Sequence, residues 1–187
     1  MPDPLRILSL GWEVQSWTLA AMVVHKKEGD LMPLLDYSTQ VPAEKTAGQI
    51  VSLLARKRAI AIMMEYSPTG SGEIVGLKWK VRTPHGDLPF NLPVNAEAVE
   101  KVLMKQYHSR QVPRSATGPD QVQRVAWRIL LEWVRAQMAL LDTEMASLDQ
   151  LFLPYLVTGS GETLYAHMLT EGFKQLALPA GDAKGQN

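Results

Sequence analysis

The strongest hydrophobic pattern in the sequence runs over residues 120–155. Apolar residues recur there at alternating steps of four and three positions, which is the spacing of one face of an amphipathic helix. They are Trp127, Leu131, Val134, Met138, Leu141, Met145 and Leu148, and a second row of Ile129, Trp133, Ala136 and Leu140 widens the face. We predict a long helix over residues 120–146 that is covered by its own domain. A coiled-coil surface and a face lining a cofactor are the alternatives.

Sequence signals mark the start of this helix. Asp120 is followed three positions later by Gln123, which is the spacing of a capping box. Gly118 and Pro119 are expected to lie outside the helix, because neither residue suits a helix interior. The sequence therefore predicts a helix that Asp120 caps.

The end of the helix is marked by a second capping signal. Ser147 and Gln150 have the same spacing as the first pair, so a short helix is predicted after a bend, and Pro154 limits its length. The charged residues expected to pair along the exposed edge of the long helix are Arg128, Glu132 and Arg135.

The chain before position 60 predicts a short strand over residues 34–37 and then a helix. Pro42 takes the first helical position, where its missing N–H costs nothing. The residues expected to face inward are Ala47, Ile50, Val51 and Leu54. The helix ends in Arg56, Lys57 and Arg58, where the helix dipole favours positive charge, and a phosphate-binding patch is the alternative role for these cations.

A hairpin follows this helix. Residues 60–66 predict a buried strand, turn residues occupy positions 67–72, and residues 73–82 alternate between apolar and polar side chains. The apolar set is Val75, Leu77, Trp79 and Val81, and the opposite face carries Lys78, Lys80 and Arg82. Residues 88–93 are predicted to be extended, and their two prolines confine them to a sheet edge.

The remaining segments predict two shorter helices and a linker. Asn95 is placed to cap a helix that runs out by His108, with Val99, Val102, Leu103 and Tyr107 facing inward. Residues 109–119 predict a mobile linker. Thr163 is placed to cap a final helix that reaches Met168 or Phe173.

Together these elements predict an α+β fold. We expect a single domain over residues 32–177, in which helices pack on one face of a small, mainly antiparallel sheet and the long helix forms the core spine. Residues 178–187 are expected to be a disordered tail. Residues 1–31 are a doubtful extension, because Lys27-Glu28-Gly29-Asp30 can be encoded by a purine-rich run resembling a bacterial ribosome-binding site, which would place the start of translation at Met32. An ordinary charged turn is the alternative.

Composition adds little to this interpretation. The 19 basic and 19 acidic residues cancel, so overall charge neither favours nor excludes nucleic acid. The absence of cysteine removes disulfides, thiolate nucleophiles and Cys-ligated zinc, and it suits a reducing cytoplasm. Arg6, Glu13 and Gln15 interrupt the longest apolar run, so we predict no membrane span, no secretory signal and a cytoplasmic location.

The sequence lacks the common catalytic signatures, including phosphate loops, dinucleotide-binding glycine motifs and paired-histidine zinc motifs. The four histidines, His25, His85, His108 and His167, are scattered. Asp142, Glu144 and Asp149 lie near the helix corner, where two of them fit capping or dipole roles. We therefore predict no catalytic residue, no metal and no cofactor.

The order of the elements and several short motifs carry a resemblance. The motifs are Ser38-Thr39 before the first helix, Phe90-Asn91-Leu92-Pro93 after the hairpin, Trp127-Arg128 in the long helix, and Phe152-Leu153 followed by Gly161-Glu162-Thr163. In this combination the chain resembles a family of small bacteriophage and prophage proteins over residues 34–168. The resemblance implies a viral or mobile-element context and supplies neither an activity nor site residues.

The basic face of the hairpin is the leading candidate for function. Its three cations stand about 6.6 Å apart along the strand, near the spacing of phosphates on an extended single strand. The predicted nucleic-acid-binding residues are Lys78, Lys80, Arg82, Arg56, Lys57 and Arg58. The leading hypothesis is a phage-type accessory protein that binds single-stranded DNA or RNA. The alternative is that this basic face is only the solvated outer side of a sheet. The alternative functions are a protein-binding inhibitor or adaptor of a host factor, a homodimer formed through the long helix, and a small-ligand binder at the Gly70–Gly72 turn.

Overall fold

The computed structural model of the protein describes residues 32–83 and 86–172. In chain order its elements are α1 (Ala43–Arg56), β1 (Ala59–Tyr66), β2 (Ile74–Thr83), β3 (Gly86–Pro93), α2 (Ala96–His108), α3 (Pro119–Asp142), α4 (Leu148–Phe152) and α5 (Leu164–Thr170). The predicted α+β class is confirmed. The predictions for residues 1–31, for Phe173 and for the tail at 178–187 lie outside the described residues.

β2 is the central strand of a three-stranded antiparallel sheet with the order β1-β2-β3. Its alternation is as predicted, because Leu77, Trp79 and Val81 are buried while Lys80 and Arg82 are exposed. We call the side that carries the buried residues the core face and the opposite side the outer face. β3 lies at an edge of this sheet, as its prolines predict.

Helices α1 and α3 cover the core face. α1 buries Ala47, Ile50 and Leu54, and α3 buries Trp127, Leu131, Val134 and Met138 in the same hydrophobic cluster as the strands. The indole N–H of Trp127 donates a hydrogen bond to the carbonyl oxygen of Ile74 at 3.1 Å. This bond joins α3 to the first residue of β2, so the long helix is the core spine that the sequence predicts.

The ends of α3 differ from the prediction. The helix begins at Pro119 with Gly118 as its N-cap, and no side chain caps it. Proline is well suited to the first helical position, so Asp120 lies inside the first turn and does not cap the helix. The helix ends at Asp142, and therefore Met145, which was expected on the buried stripe, lies beyond it and is 75% exposed.

The prediction of a strand over residues 34–37 is wrong. Residues 35–38 form a turn, in which Asp36 has a positive φ of 57°. Two buried glutamines hold this segment: Leu34 N–H donates to Gln106 Oε1 at 3.0 Å, and Gln121 Nε2 donates to the carbonyl oxygens of Tyr37 and Thr39, each at 2.9 Å. Helix-borne amides thus replace the strand partner that the segment would otherwise need.

The segment predicted to be a mobile linker is packed against the domain. Val112 and Ala116 are 5% and 3% exposed, and a 3-10 turn covers Arg114–Thr117. α2 begins after Asn95, which accepts a hydrogen bond from the Ala98 N–H as predicted. The prediction that Val102 faces inward is wrong, since that side chain is 42% exposed.

α4 starts from the predicted capping box at Ser147 and Gln150. It brings Phe152, which is fully buried, into edge contacts with Trp79, Phe90 and Trp133 at centroid distances of 5.3, 6.2 and 5.6 Å. α5 is capped by Thr163, again as predicted. None of the helices within residues 32–83 and 86–172 combines the length and apolar character needed to cross a membrane.

Candidate binding surface

The outer face of the sheet is the surface on which the predicted cations lie. The registers of the two strand pairs place Lys80 opposite Ala61 of β1 and Pro89 of β3, and Lys78 opposite Met63. Residues directly opposite one another in an antiparallel pair share a face. Lys80 and Met63 are exposed, so this face is open at its centre.

Two of the three outer-face cations are engaged by carboxylates on neighbouring strands. Lys78 Nζ lies 2.5 Å from Glu65 Oε1, and Arg82 Nε donates to Asp87 Oδ1 at 3.0 Å. The hydrogen bond and charge of Arg82 hold the pKa of Asp87 below its ordinary value, and the same hydrogen bond raises the pKa of Arg82. The cationic row is therefore largely neutralised by its own sheet.

Lys80 is different. It is exposed, and within the described residues no carboxylate lies within ion-pair distance of its ammonium group. Its charge still acts at longer range, since it contributes to the lowered pKa of Asp87. As far as residues 32–83 and 86–172 are concerned, Lys80 is thus the predicted outer-face cation whose charge is available to a partner.

The predicted extension of this row lies at the connection between α1 and β1 and consists of Arg56, Lys57 and Arg58. These residues follow one another from the end of α1 to the start of β1. Lys57 forms an ion pair with Asp142 at the end of α3. Arg58 has a positive φ of 65°, which turns the chain into the strand. Of the six predicted cations, Lys57, Lys78 and Arg82 each have a carboxylate partner.

A groove of about 330 Å³ crosses the outer face from β1 to the loop after α4. Its lining includes Ala61, Met63, Pro89 and Val157, with Lys78 and Lys80 among them. Ala61 and Pro89 flank Lys80 on either side, and neither side chain can shield its charge. The groove therefore combines an apolar floor with one cation that has no ion-pair partner in the described chain, and sequence analysis missed it because register decides which side chains are neighbours.

β1 was predicted to be a buried strand, and this part of the prediction is wrong. Ile60, Met63 and Tyr66 are 46%, 55% and 58% exposed. β1 occupies the edge of the three-stranded sheet, where the described chain supplies no further strand. Composition alone does not distinguish an apolar strand at a sheet edge from one at a sheet centre.

A separate cavity of about 630 Å³ lies between the 37–40 segment and the start of α3. Its lining is about equally polar and apolar, and its polar part includes Ser38, Ser115, Asp120 and Arg124. The described residues contain no group of three or more histidine or carboxylate side chains placed to hold a metal ion. Asp142, one of the acidic residues near the helix corner, is paired with Lys57.

No protein-family model matches this sequence, and comparison with curated proteins and with solved structures gives no significant match.

Proposed function

We propose that this chain is a binding module that holds an extended segment of a partner protein on the outer face of its sheet. The observation that carries the proposal is the apolar groove beside Lys80 on a sheet face that the described chain leaves open. Burial of apolar surface supplies most of the free energy of protein association, and a single charge at the rim selects the partner. The expected partner segment is therefore apolar with an adjacent carboxylate.

The ion pairs favour a protein partner over a polyanion. The outer face carries Lys78, Lys80 and Arg82 together with Glu65 and Asp87, so three positive charges meet two negative charges. Nucleic-acid affinity rests mainly on phosphate contacts from cations, and carboxylates among those cations oppose it. An apolar groove with one available cation suits a segment with one acidic residue better than a phosphate chain.

The proposal is tested by selecting a random peptide library on the immobilised full-length protein and measuring the enriched peptides by titration. Peptides with an acidic residue beside apolar residues are expected, and Lys80→Glu should weaken them by about tenfold or more. Ala61→Arg should abolish binding by filling the groove. Lys45→Glu is the matched control, since it makes the same charge change at an exposed position of α1. Equal binding to Lys80→Glu, Ala61→Arg and the parent protein would overturn the proposal.

Single-stranded nucleic acid is the second candidate, and the exposure of Lys80 on an open face is the observation that favours it. Fluorescence anisotropy with an oligothymidylate tests this candidate, with affinity expected to fall steeply as salt rises. The double variant Glu65→Gln/Asp87→Asn separates the two functions. Removal of both carboxylates should strengthen nucleic-acid binding strongly, because a polyanion contacts all three cations, and should change the binding of a peptide with one acidic residue much less.

We also propose that such a module acts in a bacteriophage or mobile-element context, on the basis of the sequence resemblance. Neighbouring genes test this proposal. Replication, packaging or host-takeover genes on both sides would support it, whereas a conserved housekeeping operon would contradict it.

A further inference from the structure

The described chain leaves the outer edge of β1 unpaired, and the direction of the backbone groups at this edge can be derived from the opposite side of the sheet. Val157 N–H donates to the carbonyl oxygen of Pro89 at 2.8 Å, so Pro89 directs its backbone groups away from β2. Successive residues of a strand direct these groups to opposite sides. Phe90 therefore directs its backbone N–H and C=O groups toward β2, where its register partner is Trp79.

The same alternation extends across β2 to β1. Because Trp79 bonds toward β3, its neighbour Lys78 bonds toward β1, where its register partner is Met63. Within β1 the residues on either side of Met63 must then direct their N–H and C=O groups outward. Ile62 and Met64 consequently present four backbone hydrogen-bonding groups at an edge that the described chain leaves unpaired.

We propose that two copies of this chain associate through β1, with the strands antiparallel and a two-fold axis at Met63, to form a continuous six-stranded sheet. This register pairs Ile62 with Met64 of the second copy and Met64 with Ile62 of the second copy. All four outward backbone groups on each copy are then bonded. The position of Met63 becomes a non-hydrogen-bonded pair, in which side chains approach most closely.

The side chains of β1 suit this arrangement. Met63 is 55% exposed and would pack against Met63 of the second copy. Ile60 and Tyr66, which are 46% and 58% exposed, come opposite each other in the same register. The eight residues of β1 include no proline and no lysine, although these are residues that commonly prevent edge-to-edge pairing. Strand addition between proteins commonly occurs at an exposed sheet edge of this kind.

Charge complementarity identifies the occupant as a second copy. The dimer register places Glu65 of the second copy opposite Ala61, which in turn is opposite Lys80. Lys80 and that Glu65 then lie on the same face about 10 Å apart across the small Ala61, which is within the combined reach of the two side chains. Each Glu65 would lie between Lys78 of its own copy and Lys80 of the other.

The inference rests on the proposed function and deepens it, because Glu65 of the second copy would supply the carboxylate beside Lys80 that the proposed function assigns to a partner segment. The two proposals fail separately. The mass of the protein in solution reports the dimer. Peptide binding reports the groove and is measured on Met64→Pro as well as on the parent, because substitution of Lys80 or Ala61 also alters the contact with Glu65 of the second copy.

Disulfide trapping provides the sharpest test, since the chain has no native cysteine. In full-length Met63→Cys, oxidation should cross-link two copies, because a non-hydrogen-bonded pair brings the two Cβ atoms close to disulfide distance. Met145→Cys is the control, as Met145 is 75% exposed and far from β1 in sequence. The cross-linked fraction at micromolar concentration should be about tenfold or more greater for Met63→Cys.

Light scattering and sedimentation equilibrium of the full-length protein complete the test. The parent should have twice the chain mass. Met63→Lys should be monomeric, because two ammonium groups would meet at the axis. Met64→Pro should also be monomeric with an unchanged circular dichroism spectrum, because the N–H that proline removes points away from β2. A monomeric parent, whether β1 is open or covered by another segment, would overturn the proposal, and so would a dimer that both variants leave intact.

Discussion

Trp127 and Ile74 are joined by a hydrogen bond from the indole N–H to a buried backbone carbonyl, at 3.1 Å and across 53 positions of sequence. Trp127→Phe removes the donor and leaves the carbonyl oxygen of Ile74 without its partner. The lost bond and the smaller ring should reduce the free energy of unfolding by about 2–4 kcal/mol. Urea denaturation measures this change, and Met145→Ala at an exposed position should change stability by less than about 0.5 kcal/mol. Equal effects of the two substitutions would contradict this role of the indole.

Two glutamines in α3 should respond oppositely to the same substitution. Gln121 is 8% exposed and donates to the carbonyl oxygens of Tyr37 and Thr39. Gln123 has a buried Oε1 that accepts no hydrogen bond from the described part of the chain. Gln121→Met should destabilise the protein by about 1–3 kcal/mol and increase amide exchange around the 35–38 turn, whereas Gln123→Met should be neutral or stabilising. Native-state hydrogen exchange and thermal unfolding measure both effects, and loss of protection in both variants would argue against the assignment.

Gly76 and Gly48 form a second matched pair. A Cβ at Gly76 would lie 3.2 Å from Glu65 Oε2 and 3.3 Å from the backbone carbonyl of Leu92. A Cβ at Gly48, within α1, would meet nothing within 4 Å. Gly76→Ala should therefore cost about 1–2 kcal/mol and displace Glu65 from Lys78. Gly48→Ala should raise the free energy of unfolding by about 0.5–1 kcal/mol through helix propensity. Chemical denaturation of both variants measures these changes in stability.

The pairing of Asp87 with Arg82 gives a prediction for pH. The guanidinium holds the pKa of Asp87 below its ordinary value, so the folded state binds this proton less readily than the unfolded chain does. The stabilisation is present above the ordinary aspartate pKa of about 4, and it is lost as pH falls through the lower folded value. Arg82→Gln should raise the pKa of Asp87, measured by NMR titration of its carboxyl carbon. An unchanged titration would show that the pair does not persist in solution.

The sequence predicts well those features that depend on neighbours in the chain. The periodicity of Trp127, Leu131 and Val134 predicts the long helix because three or four positions make one helical turn. The caps at Asn95, Ser147 and Thr163 lie within one turn of the groups they bond, so the confirmed caps need no knowledge of the fold.

The features that sequence reasoning missed depend on distant partners. The 34–37 segment contains apolar residues in no distinctive period, and its actual turn is held by glutamines from α2 and α3, more than 70 positions away in sequence. The alternation of β2 predicts that Lys78 and Lys80 share a face. It does not predict that Glu65 engages the first and not the second, because that choice depends on the register set by the β1–β2 connection. The neutralisation of the outer-face cations could therefore be predicted only from the observed pairing of the strands.

The position of Phe152 has a consequence for biosynthesis. This ring contacts Trp79, Phe90 and Trp133, yet it reaches the ribosomal exit later than the sheet and α3 do. A nascent chain that has emerged only as far as Asp142 holds the strands and the long helix around an unfilled aromatic centre. Completion of the fold during translation thus depends on a few late residues, and a ribosome stalled just before α4 would carry a chain whose aromatic core still lacks the Phe152 ring.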